Sequence, residues 1–507
     1  MKKATPFWPI IIALALLKFI LPFLLQSPVY ELQRDEYLYY EQGQNFDWGF
    51  LENPPLLSYL ATVSSWLGGS VFWIKFWPCL FGAGTVIITC LLSSELGGKR
   101  FAQFIAGAAI ISGAYLRIHF LFQPNFLDIF FWTLSVYALV VYINSGRNSF
   151  LYLFCFALTF GFLGKYSILF IAASLFLSLL FSQYRKVFAE KKLYLGILIG
   201  LLIVSQNVVW QYQHNWPLVS HMKELKETQL RYNSPLNFII EQFLMLLPMT
   251  LIWVGGLIWL LRQSQWRFIG VAYFIVIILL ILASGKGYYA LGIYPPLLAA
   301  GGVAWERWSR ERSWIRYGVA ILFIGLTWLF IPLALPTRSP EKLAALYKKI
   351  GMQQKWEDQK NHPLPQDFAD MLGWKELAEK TESAFSKLPD SIQSGTLILC
   401  DNYGQAGSLK FYSKNENLRR RVASTSGSFI LWTPLSKMDF RNMMVVGRKI
   451  PDHELFRHFK TVAVLDSVTN TYSRQFGDKV FFCENVDEKG SELAKQEWLK
   501  RTARFRK

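Results

Sequence analysis

Long apolar runs, separated by short polar loops, recur along the first two-thirds of the 507-residue chain. An apolar run of about 20 residues is long enough to cross the hydrocarbon core of a bilayer as a helix. The pattern therefore predicts a polytopic α-helical membrane protein with about eleven spans. Their expected limits are residues 7–26, 71–94, 102–121, 126–143, 149–163, 167–182, 194–211, 236–261, 268–283, 288–304 and 317–335.

The pattern changes after Leu335. The remaining residues carry mixed charges, turn formers and short runs rich in β-forming residues, namely TLILC, SFILW, MMVVG, TVAVL and KVFFC. Segments such as WKELAEKTESAF have helical spacing instead. We therefore expect a membrane domain at 1–335, with a first external loop at 27–70, followed by a soluble α/β domain at 336–507.

Composition agrees with this division, since 52% of the residues are hydrophobic, 16% are aromatic and only 17% are charged. The net charge of +18 would suit a nucleic-acid-binding protein, but much of the basic charge lies in short loops between spans. Lysine and arginine concentrate on the cytoplasmic side of membrane proteins, so topology explains the charge better. An odd number of spans then places the soluble domain outside the cytoplasm. The inner basic residues are Lys99, Arg100, Arg147, Arg185, Lys186, Lys191, Lys192, Arg262, Arg267, Arg307, Arg310, Arg312 and Arg316.

The opposite, outer face receives acids, histidines and isolated lysines from separate hairpins. Ionisable groups close to a membrane are costly and are usually paired or functional. Lysines there can neutralise a phosphate, a carboxylate can take a proton from a hydroxyl, and aromatic side chains can pack against sugar rings. Together these groups suit glycosyl transfer from a sugar linked to a lipid phosphate, whose developing charge the cations would stabilise. The outer residues are Asp35, Glu36, Glu52, Asn53, Arg117, His119, Asn125, Asp128, Lys165, His214, His221, Lys286, Tyr288 and Tyr289.

The segment RDEYLYYEQGQNFDWGFLENPPLL resembles the first external loop of GT-C membrane glycosyltransferases, of the protein O-mannosyltransferase-like and lipid A aminoarabinose transferase-like groups. The resemblance continues through PNFLDIFF, GFLGKYSIL and GKGYYALGIYPPLLAAGG, and CDNYGQAGSLKFYSK resembles the soluble domain of bacterial members. It implies a GT-C fold, a polyprenyl-phosphate sugar donor, inversion at the anomeric carbon and Asp35 as the general base. Asn53 departs from the His or Lys that relatives often place before this proline.

We assign predicted roles on this basis. Asp35 and Glu36 form the catalytic pair, with Glu36 orienting Asp35 or the acceptor, and Lys165 and Lys286 bind the donor phosphate. The sugar and acceptor pocket comprises Glu52, Asn53, His119, Asp128, Tyr288 and Tyr289.

Each role has a structural alternative. Asp35 could serve as a helix cap and nothing more. Asp128 could pair with Arg117, and His119 could be a hydrogen-bonded structural histidine. Lys165 and Lys286 could be snorkelling interface anchors, and Tyr288 and Tyr289 could belong to an aromatic belt.

Two further features concern metal binding and redox state. His214 and His221 are seven residues apart, which is two turns of one helix face, and with Glu52 they are weak candidates for a divalent metal site. No other cofactor is indicated. Cys400 and Cys483 could form a disulfide if the soluble domain lies outside the cytoplasm.

The sequence thus predicts an inverting glycosyltransferase in the bacterial cytoplasmic membrane, with its site and soluble domain facing the periplasm. It would move a sugar from a polyprenyl-phosphate donor to a hydroxyl or phosphate of a lipid, glycan or protein acceptor. The alternative is a transporter or flippase for a lipid-linked or small polar substrate. Transporters often have internal repeats and ionisable groups at mid-membrane depth, and neither is visible here.

Overall fold

The computed structural model describes residues 3–228, 233–352, 354–434, 438 and 440–505. All eleven apolar runs form helix, so the helical membrane architecture predicted from hydropathy is confirmed. The helices of this part are α1 Trp8–Leu25, α2 Arg34–Gln44, α3 Leu56–Trp66, α4 Val71–Glu95, α5 Arg100–Ile110, α6 Ala114–Ile118, α7 Asn125–Ser145, α8 Ser149–Gly164, α9 Ile168–Leu180, α10 Lys191–Gln213, α11 Pro217–Thr228, α12 Pro235–Met245, α13 Thr250–Arg262, α14 Arg267–Leu282, α15 Tyr294–Trp308 and α16 Ser313–Ala334.

Among the described residues, five helices are long and apolar enough to cross a membrane, namely α1, α4, α7, α10 and α16. A sixth span arises if α12 and the segment Leu247–Arg262 count together, although they are bent by 71°. Pro248 sits in the 3₁₀ turn between them, and a proline removes a helical hydrogen bond. The helices α5, α8, α9 and α14 are apolar but shorter, so the count of eleven spans stays a prediction.

The helices α13 and α15 cross at very short range because glycines face each other. A Cβ atom on Gly256 would collide with the carbonyl of Leu297, and one on Gly301 would collide with the carbonyl of Ile252. Small residues allow helix backbones in a membrane to approach closely. This crossing anchors α15 and the 3₁₀ helix Gly287–Ile293 that precedes it, which carries Tyr288 and Tyr289.

The C-terminal part contains the predicted α/β fold. Its larger sheet has the strand order β4-β3-β5-β7-β6, in which β3 is parallel to β4 and β5, while β7 is antiparallel to β5 and β6. The boundary at residues 335/336 stays a proposal. The strands are β1 Gln354–Lys355, β2 Asn361–His362, β3 Thr396–Cys400, β4 Val422–Ser424, β5 Asn442–Gly447, β6 Phe459–Ser467 and β7 Lys479–Val486, and the helices are α17 Pro340–Lys349, α18 Gln366–Ala369, α19 Trp374–Ser386, α20 Asp390–Gln393, α21 Tyr403–Tyr412, α22 Glu416–Arg421, α23 Phe429–Trp432 and α24 Glu488–Ala503.

One strand prediction is wrong. The run SFILW forms the short helix α23, because Gly427 adopts a φ of +57° and turns the chain immediately before it. The first residue of the run, Ser428, then donates its backbone N–H to the Glu52 carboxylate instead of to a strand. Short apolar runs do not distinguish a strand from a buried helical turn by periodicity alone.

The cysteine pairing considered from the sequence is not formed. Cys400 and Cys483 are both buried free thiols. Cys400 lies on β3 and Cys483 on β7, with β5 between them. The two cysteines are therefore separated by two strand spacings of about 4.8 Å each. Together these exceed the Cα separation of about 7 Å that a disulfide tolerates.

The helix α2 joins the membrane part to the C-terminal part. Its residue Tyr37 is fully buried, and its ring packs at centroid distances of 5.6 to 6.0 Å against Trp374, Phe411 and Tyr412. Lys410 of the C-terminal part forms an ion pair with Glu41 at the other end of α2. The helix α2 of the first external loop is therefore held against the C-terminal part near both of its ends, which restricts the direction of its acidic side chains.

Candidate active site

The start of α2 separates the two neighbouring acids, Asp35 and Glu36. The side chain of Gln33 caps the helix by accepting from the backbone N–H of Asp35 at 2.8 Å, and the Glu36 carboxylate accepts from the backbone N–H of Gln33 at 2.7 Å. This reciprocal arrangement is a capping box, with glutamine in the place of the usual serine or threonine. The cap itself therefore does not need the side chain of Asp35.

Asp35 is partly open to solvent and surrounded by donors. Its carboxylate accepts a hydrogen bond from the Tyr403 hydroxyl at 2.7 Å, from Arg34 Nε at 3.2 Å and from Gln123 Nε2 at 3.3 Å. The side chain remains 24% exposed. An accessible, oriented carboxylate is the arrangement that a general base requires.

Glu36 is sealed inside the protein. It has no exposed surface, and its oxygens lie 2.6 and 2.7 Å from Lys75 Nζ and accept from the backbone N–H of Phe122 at 2.6 Å. An acceptor has no route to this carboxylate. Of the predicted roles for Glu36, the geometry favours orienting Asp35 through α2 over direct contact with a substrate.

The cation Lys165 lies at the junction of α8 and α9, beneath two aromatic rings. Its ammonium donates to Asn125 Oδ1 at 2.8 Å, is 3.9 Å from Asp128 Oδ2, and is 4.3 Å from the ring centroid of Tyr289 and 5.7 Å from that of Tyr288. The Lys165 side chain is 20% exposed, so a ligand can reach it.

A chain of hydrogen bonds connects the acid side of the site to this cation. From Lys165 it passes to Asn125, whose Nδ2 donates to Gln123 Oε1 at 3.3 Å, and from Gln123 to the Asp35 carboxylate. Asp35 also interacts electrostatically with Tyr288, and Lys165 interacts electrostatically with Lys286. The structure thus brings the predicted carboxylate and the predicted cations together from three separate hairpins.

Asp128 and Arg117 do not pair with each other. Asp128 is buried and its ionic partner is Lys165. Arg117 is 2.8 Å from Asp367 and donates to the carbonyls of Leu333 and Ala334, so it fixes the end of α16 to the C-terminal part. If Asp128 has a purely structural role, that role is therefore an ion pair with Lys165, a candidate site residue, and not with Arg117.

Glu52 contacts the C-terminal part, whereas the neighbouring Asn53 is bonded within the first loop. The Glu52 carboxylate accepts from the backbone N–H and the hydroxyl of Ser428 at 2.7 and 2.6 Å and from Gln42 at 3.1 Å. Asn53 accepts from the same Gln42 amide at 2.9 Å. Burial raises the pKa of Glu52 in spite of these donors. A Cβ atom on Gly427 would touch both the Glu52 carboxylate and the ring of Tyr403, so Glu52 lies close to the tyrosine that binds Asp35.

His119 has different neighbours. It is fully buried, its ring stacks on Tyr115 at a centroid distance of 5.9 Å, and a Cβ atom on Gly82 would touch it. Neither ring nitrogen has a hydrogen-bond partner among the residues that the structure describes. The structural alternative of a hydrogen-bonded histidine is thus not seen, and His119 shares no contact with Asp35 or Lys165 in the described part.

The weak metal candidates do not assemble. Asn215 and Trp216 have φ values of +60° and +55°, which break the chain between α10, which ends before His214, and α11, which carries His221. The Nδ1 atom of His214 is 2.9 Å from the carbonyl of Trp210, while Glu52 is bound to Ser428. Within the described residues no group of three or more His, Cys, Asp or Glu side chains could hold a metal ion. The continuous helix that the seven-residue spacing would need is therefore interrupted between the two histidines.

Sequence reasoning missed Tyr403, Gln123 and Ser428. Tyr403 and Ser428 lie 368 and 376 residues from the acids that they contact, so no local pattern could link them. The available signal was the turn Asn402-Tyr403-Gly404 after the strand TLILC, which is the N-terminal cap of α21. Burial and the Asp35 carboxylate hold the pKa of Tyr403 well above its ordinary value, so its hydroxyl stays protonated and donates.

Comparison with known proteins supports the fold. Residues 52–210 match the family described as dolichyl-phosphate-mannose-protein mannosyltransferase. The crystal structure of ArnT from Cupriavidus metallidurans bound to undecaprenyl phosphate superimposes with a TM-score of 0.61 at 13% identity, over 94% of this chain and 98% of that one. The chain therefore shares the fold of this ArnT. The apo form of the same ArnT gives a TM-score of 0.60.

A curated relative is also found at low identity. The lipid A galacturonosyltransferase RgtD of Rhizobium johnstonii is 19% identical over 214 residues. That match covers 41% of this chain and 45% of the relative, so it spans less than half the length of the curated protein. The GT-C fold predicted from the loop motifs is confirmed over nearly the whole chain, whereas the roles of individual residues stay predictions.

The contact between Tyr403 and Asp35 yields a testable prediction. Tyr403→Phe removes a hydrogen bond to a charged acceptor, so we expect kcat to fall about 10-fold. The donor KM should stay within about 2-fold of the wild-type value, because the hydroxyl contacts the acid that acts on the acceptor. Tyr412→Phe is the matched control, because it alters the contact between the hydroxyls of Tyr37 and Tyr412 at the other end of α21. An unchanged kcat in Tyr403→Phe would show that this contact is only structural.

Proposed function

We propose that this GT-C protein is an inverting glycosyltransferase that uses a polyprenyl-phosphate-linked sugar and acts at the outer membrane face. The observation that carries the proposal is the hydrogen-bonded chain from Asp35 through Gln123 and Asn125 to Lys165. It holds an accessible carboxylate and an accessible cation on one surface. That pairing is what transfer away from a phosphate leaving group needs.

In the proposed reaction, Asp35 accepts the proton of the acceptor hydroxyl while the hydroxyl oxygen attacks the anomeric carbon. A new glycosidic bond forms, and the bond from the anomeric carbon to the phosphate oxygen breaks. The lipid phosphate departs with the bonding electrons and gains negative charge. Lys165 and Lys286 stabilise that charge, and attack opposite the leaving group inverts the anomeric centre.

The aromatic residues around the cations support a lipid-linked donor. Tyr288 and Tyr289 lie against the Lys165 ammonium. Tyrosines suit the border between a membrane and water because one end of the side chain is apolar and the other is polar. In our proposal they hold the sugar or the first part of the lipid over Lys165, and Asp128 limits the mobility of that lysine.

The outer-face orientation follows from the basic loops at the opposite ends of the spans. The acceptor is a hydroxyl or a phosphate of a lipid, glycan or protein. A phosphate acceptor is already ionised near neutral pH and would need no base. The accessibility of Asp35 therefore favours a hydroxyl acceptor.

The decisive experiment is a transfer assay with the full chain reconstituted in proteoliposomes. Polyprenyl-phosphate-linked hexoses, pentoses and uronic acids are supplied singly with an envelope lipid extract, and mass spectrometry detects the glycosylated product. We expect one donor to give a covalent product and free polyprenyl phosphate in equal amounts. Counterflow of a solute without any covalent product would instead establish the transporter alternative and overturn the proposal.

Loss of a cation should affect donor use. Lys165→Gln keeps a side chain that can reach Asn125 but removes the charge, so we expect transfer to fall about 100-fold. The matched control is Lys449→Gln, which changes an exposed lysine beyond the end of β5. Initial rates against donor concentration test this prediction. Unchanged kcat and donor KM in Lys165→Gln would remove this lysine from the phosphate site.

A further inference from the structure

A cavity lies where the first external loop, the end of α10 and the C-terminal part meet. Its volume is about 390 Å³, at the small end of the range of about 300–1,000 Å³ found for ligand pockets. None of the residues in the chain from Asp35 to Lys165 lines it. We call this space the loop cavity and define it by Phe46, Asp47, Trp210, His214 and Trp432.

The loop cavity combines aromatic faces with hydrogen-bonding groups. Phe46, Trp210 and Trp432 provide the aromatic faces, while Asp47 and His214 provide polar atoms. The Nδ1 atom of His214 faces the carbonyl of Trp210 and can only donate to it. A neutral His214 therefore keeps Nε2 as an acceptor.

A buried donor in the wall has no protein partner. Trp210 is 3% exposed, and its indole N–H makes no hydrogen bond to any residue that the structure describes. Buried N–H groups are nearly always satisfied, so this one calls for a ligand or a water molecule. The wall residue Trp210 thus carries an unsatisfied N–H, and the acceptors of the wall are Asp47 and His214.

This chemistry selects among ligand classes. Each sugar hydroxyl both donates and accepts, and the apolar face of a sugar ring packs on aromatic side chains. A lipid tail would leave the polar groups of the wall unused. A phosphate would meet the Asp47 carboxylate, and among the described residues no lysine or arginine lines the cavity.

Two connections place the loop cavity beside the candidate active site. Asn207 donates to the carbonyl of Trp48 at 2.7 Å and accepts from the Tyr166 hydroxyl at 3.0 Å, and Tyr166 directly follows Lys165. On the other side, Ser428 binds Glu52 and lies at the start of the turn that leads to Trp432. Hydrogen-bonded side chains therefore connect the surroundings of the loop cavity to the Lys165 hairpin on one side and to Glu52 on the other.

We propose that the loop cavity binds an uncharged sugar ring of the acceptor, next to the unit that receives the transferred sugar. Assigning the ring to the acceptor rests on the proposed function, whereas the carbohydrate binding itself does not. The transferred sugar stays attached to phosphate at the lysines, so the loop cavity is left for the other substrate.

The binding test uses the full chain in lipid nanodiscs and saturation-transfer NMR. The probes are free glucose, galactose, mannose and N-acetylglucosamine, each at millimolar concentration. We expect at least one probe to receive saturation from the wild type and to lose it at least 5-fold in Phe46→Ala and in Asp47→Ala. Phe46 is 59% exposed and stacks on Tyr59, so its replacement spares the core.

Two variants serve as controls for this test. Trp66→Ala removes an aromatic side chain that is 79% exposed and lies outside the cavity, and it should keep the signal. Asp35→Asn should also keep it, since the loop cavity does not contain Asp35. Absence of a signal for every probe with the wild type, or a full signal in both Phe46→Ala and Asp47→Ala, would overturn the proposal.

A kinetic readout ties the cavity to the acceptor. In the transfer assay, Phe46→Ala should raise the acceptor KM about 10-fold, equivalent to about 1.4 kcal/mol, without changing kcat or the donor KM. An unchanged acceptor KM would remove the cavity from the acceptor path. If no donor supports transfer at all, the proposed function fails, and the NMR result then decides carbohydrate binding by itself.

Discussion

Asp35→Asn should lower kcat for sugar transfer by about 100- to 10,000-fold, the usual contribution of a general base. Asparagine has the same shape and can still accept the hydrogen bond from the Tyr403 hydroxyl. It cannot take a proton from the acceptor. Because the Gln33 cap uses the backbone of residue 35 and not its side chain, α2 should keep its position. The loss would then report the chemical step.

The measurement is single-turnover transfer from the donor identified in the reconstituted assay. The donor KM should stay within about 2-fold of the wild-type value if Asp35 acts only on the acceptor. Asp452→Asn, at an exposed position of the C-terminal part, is the matched control and should behave as the wild type. Near-normal turnover in Asp35→Asn would remove the base from the mechanism and point to an acceptor that is already ionised.

The helices of the membrane part were predictable because bilayer thickness imposes one length on every apolar run. The breaks within them were not predictable to the same degree. The 3₁₀ turn at Leu247–Met249 contains a proline, but Pro22, Pro78 and Pro332 lie inside continuous helices. Whether a proline breaks a helix depends on neighbours that can satisfy the freed carbonyl, and those are tertiary contacts.

The site was predictable only in part. Topology places Asp35, Lys165 and Lys286 on one face, since each lies at a loop on the same side of the predicted spans. The bridging residues Gln123 and Asn125 share one short turn. Nothing in their amino-acid type indicates that they link an acid to a lysine. Contacts from the C-terminal part are harder still to predict. Tyr403 and Ser428 are distant in sequence from the acids that they contact, and both lie in ordinary turn segments.

Glu36 illustrates why residue type alone leaves a role open. Next to Asp35 it looks like half of a catalytic pair, yet its carboxylate faces Lys75 in an apolar run that the sequence reads as an ordinary span. Nothing in the sequence around Lys75 indicated that this lysine pairs with Glu36. The pairing became visible only once α2 and α4 were packed together, because a helix capping box turns positions 35 and 36 toward different neighbours.

The buried pair of Lys75 and Glu36 should have the largest effect on stability in the described part of the chain. Lys75 is 1% exposed and Glu36 is fully buried, with an N–O distance of 2.6 Å. Lys75→Met leaves the carboxylate buried without its cation, so we expect the free energy of unfolding to fall by about 3–5 kcal/mol.

Adding Glu36→Gln should recover part of that loss, because the uncompensated charge disappears and an oxygen remains for the N–H of Phe122. The matched control is Lys375→Met, which breaks the pair of Lys375 with Glu379, whose side chains are 61% and 65% exposed, and it should cost at most about 1 kcal/mol. Denaturant unfolding of the four proteins in detergent measures the difference, and equal losses for Lys75→Met and Lys375→Met would show that the buried pair does not hold α2. Since α2 carries Asp35, Lys75→Met should also lower transfer at temperatures where the protein is still folded, a loss that an exposed pair would not produce.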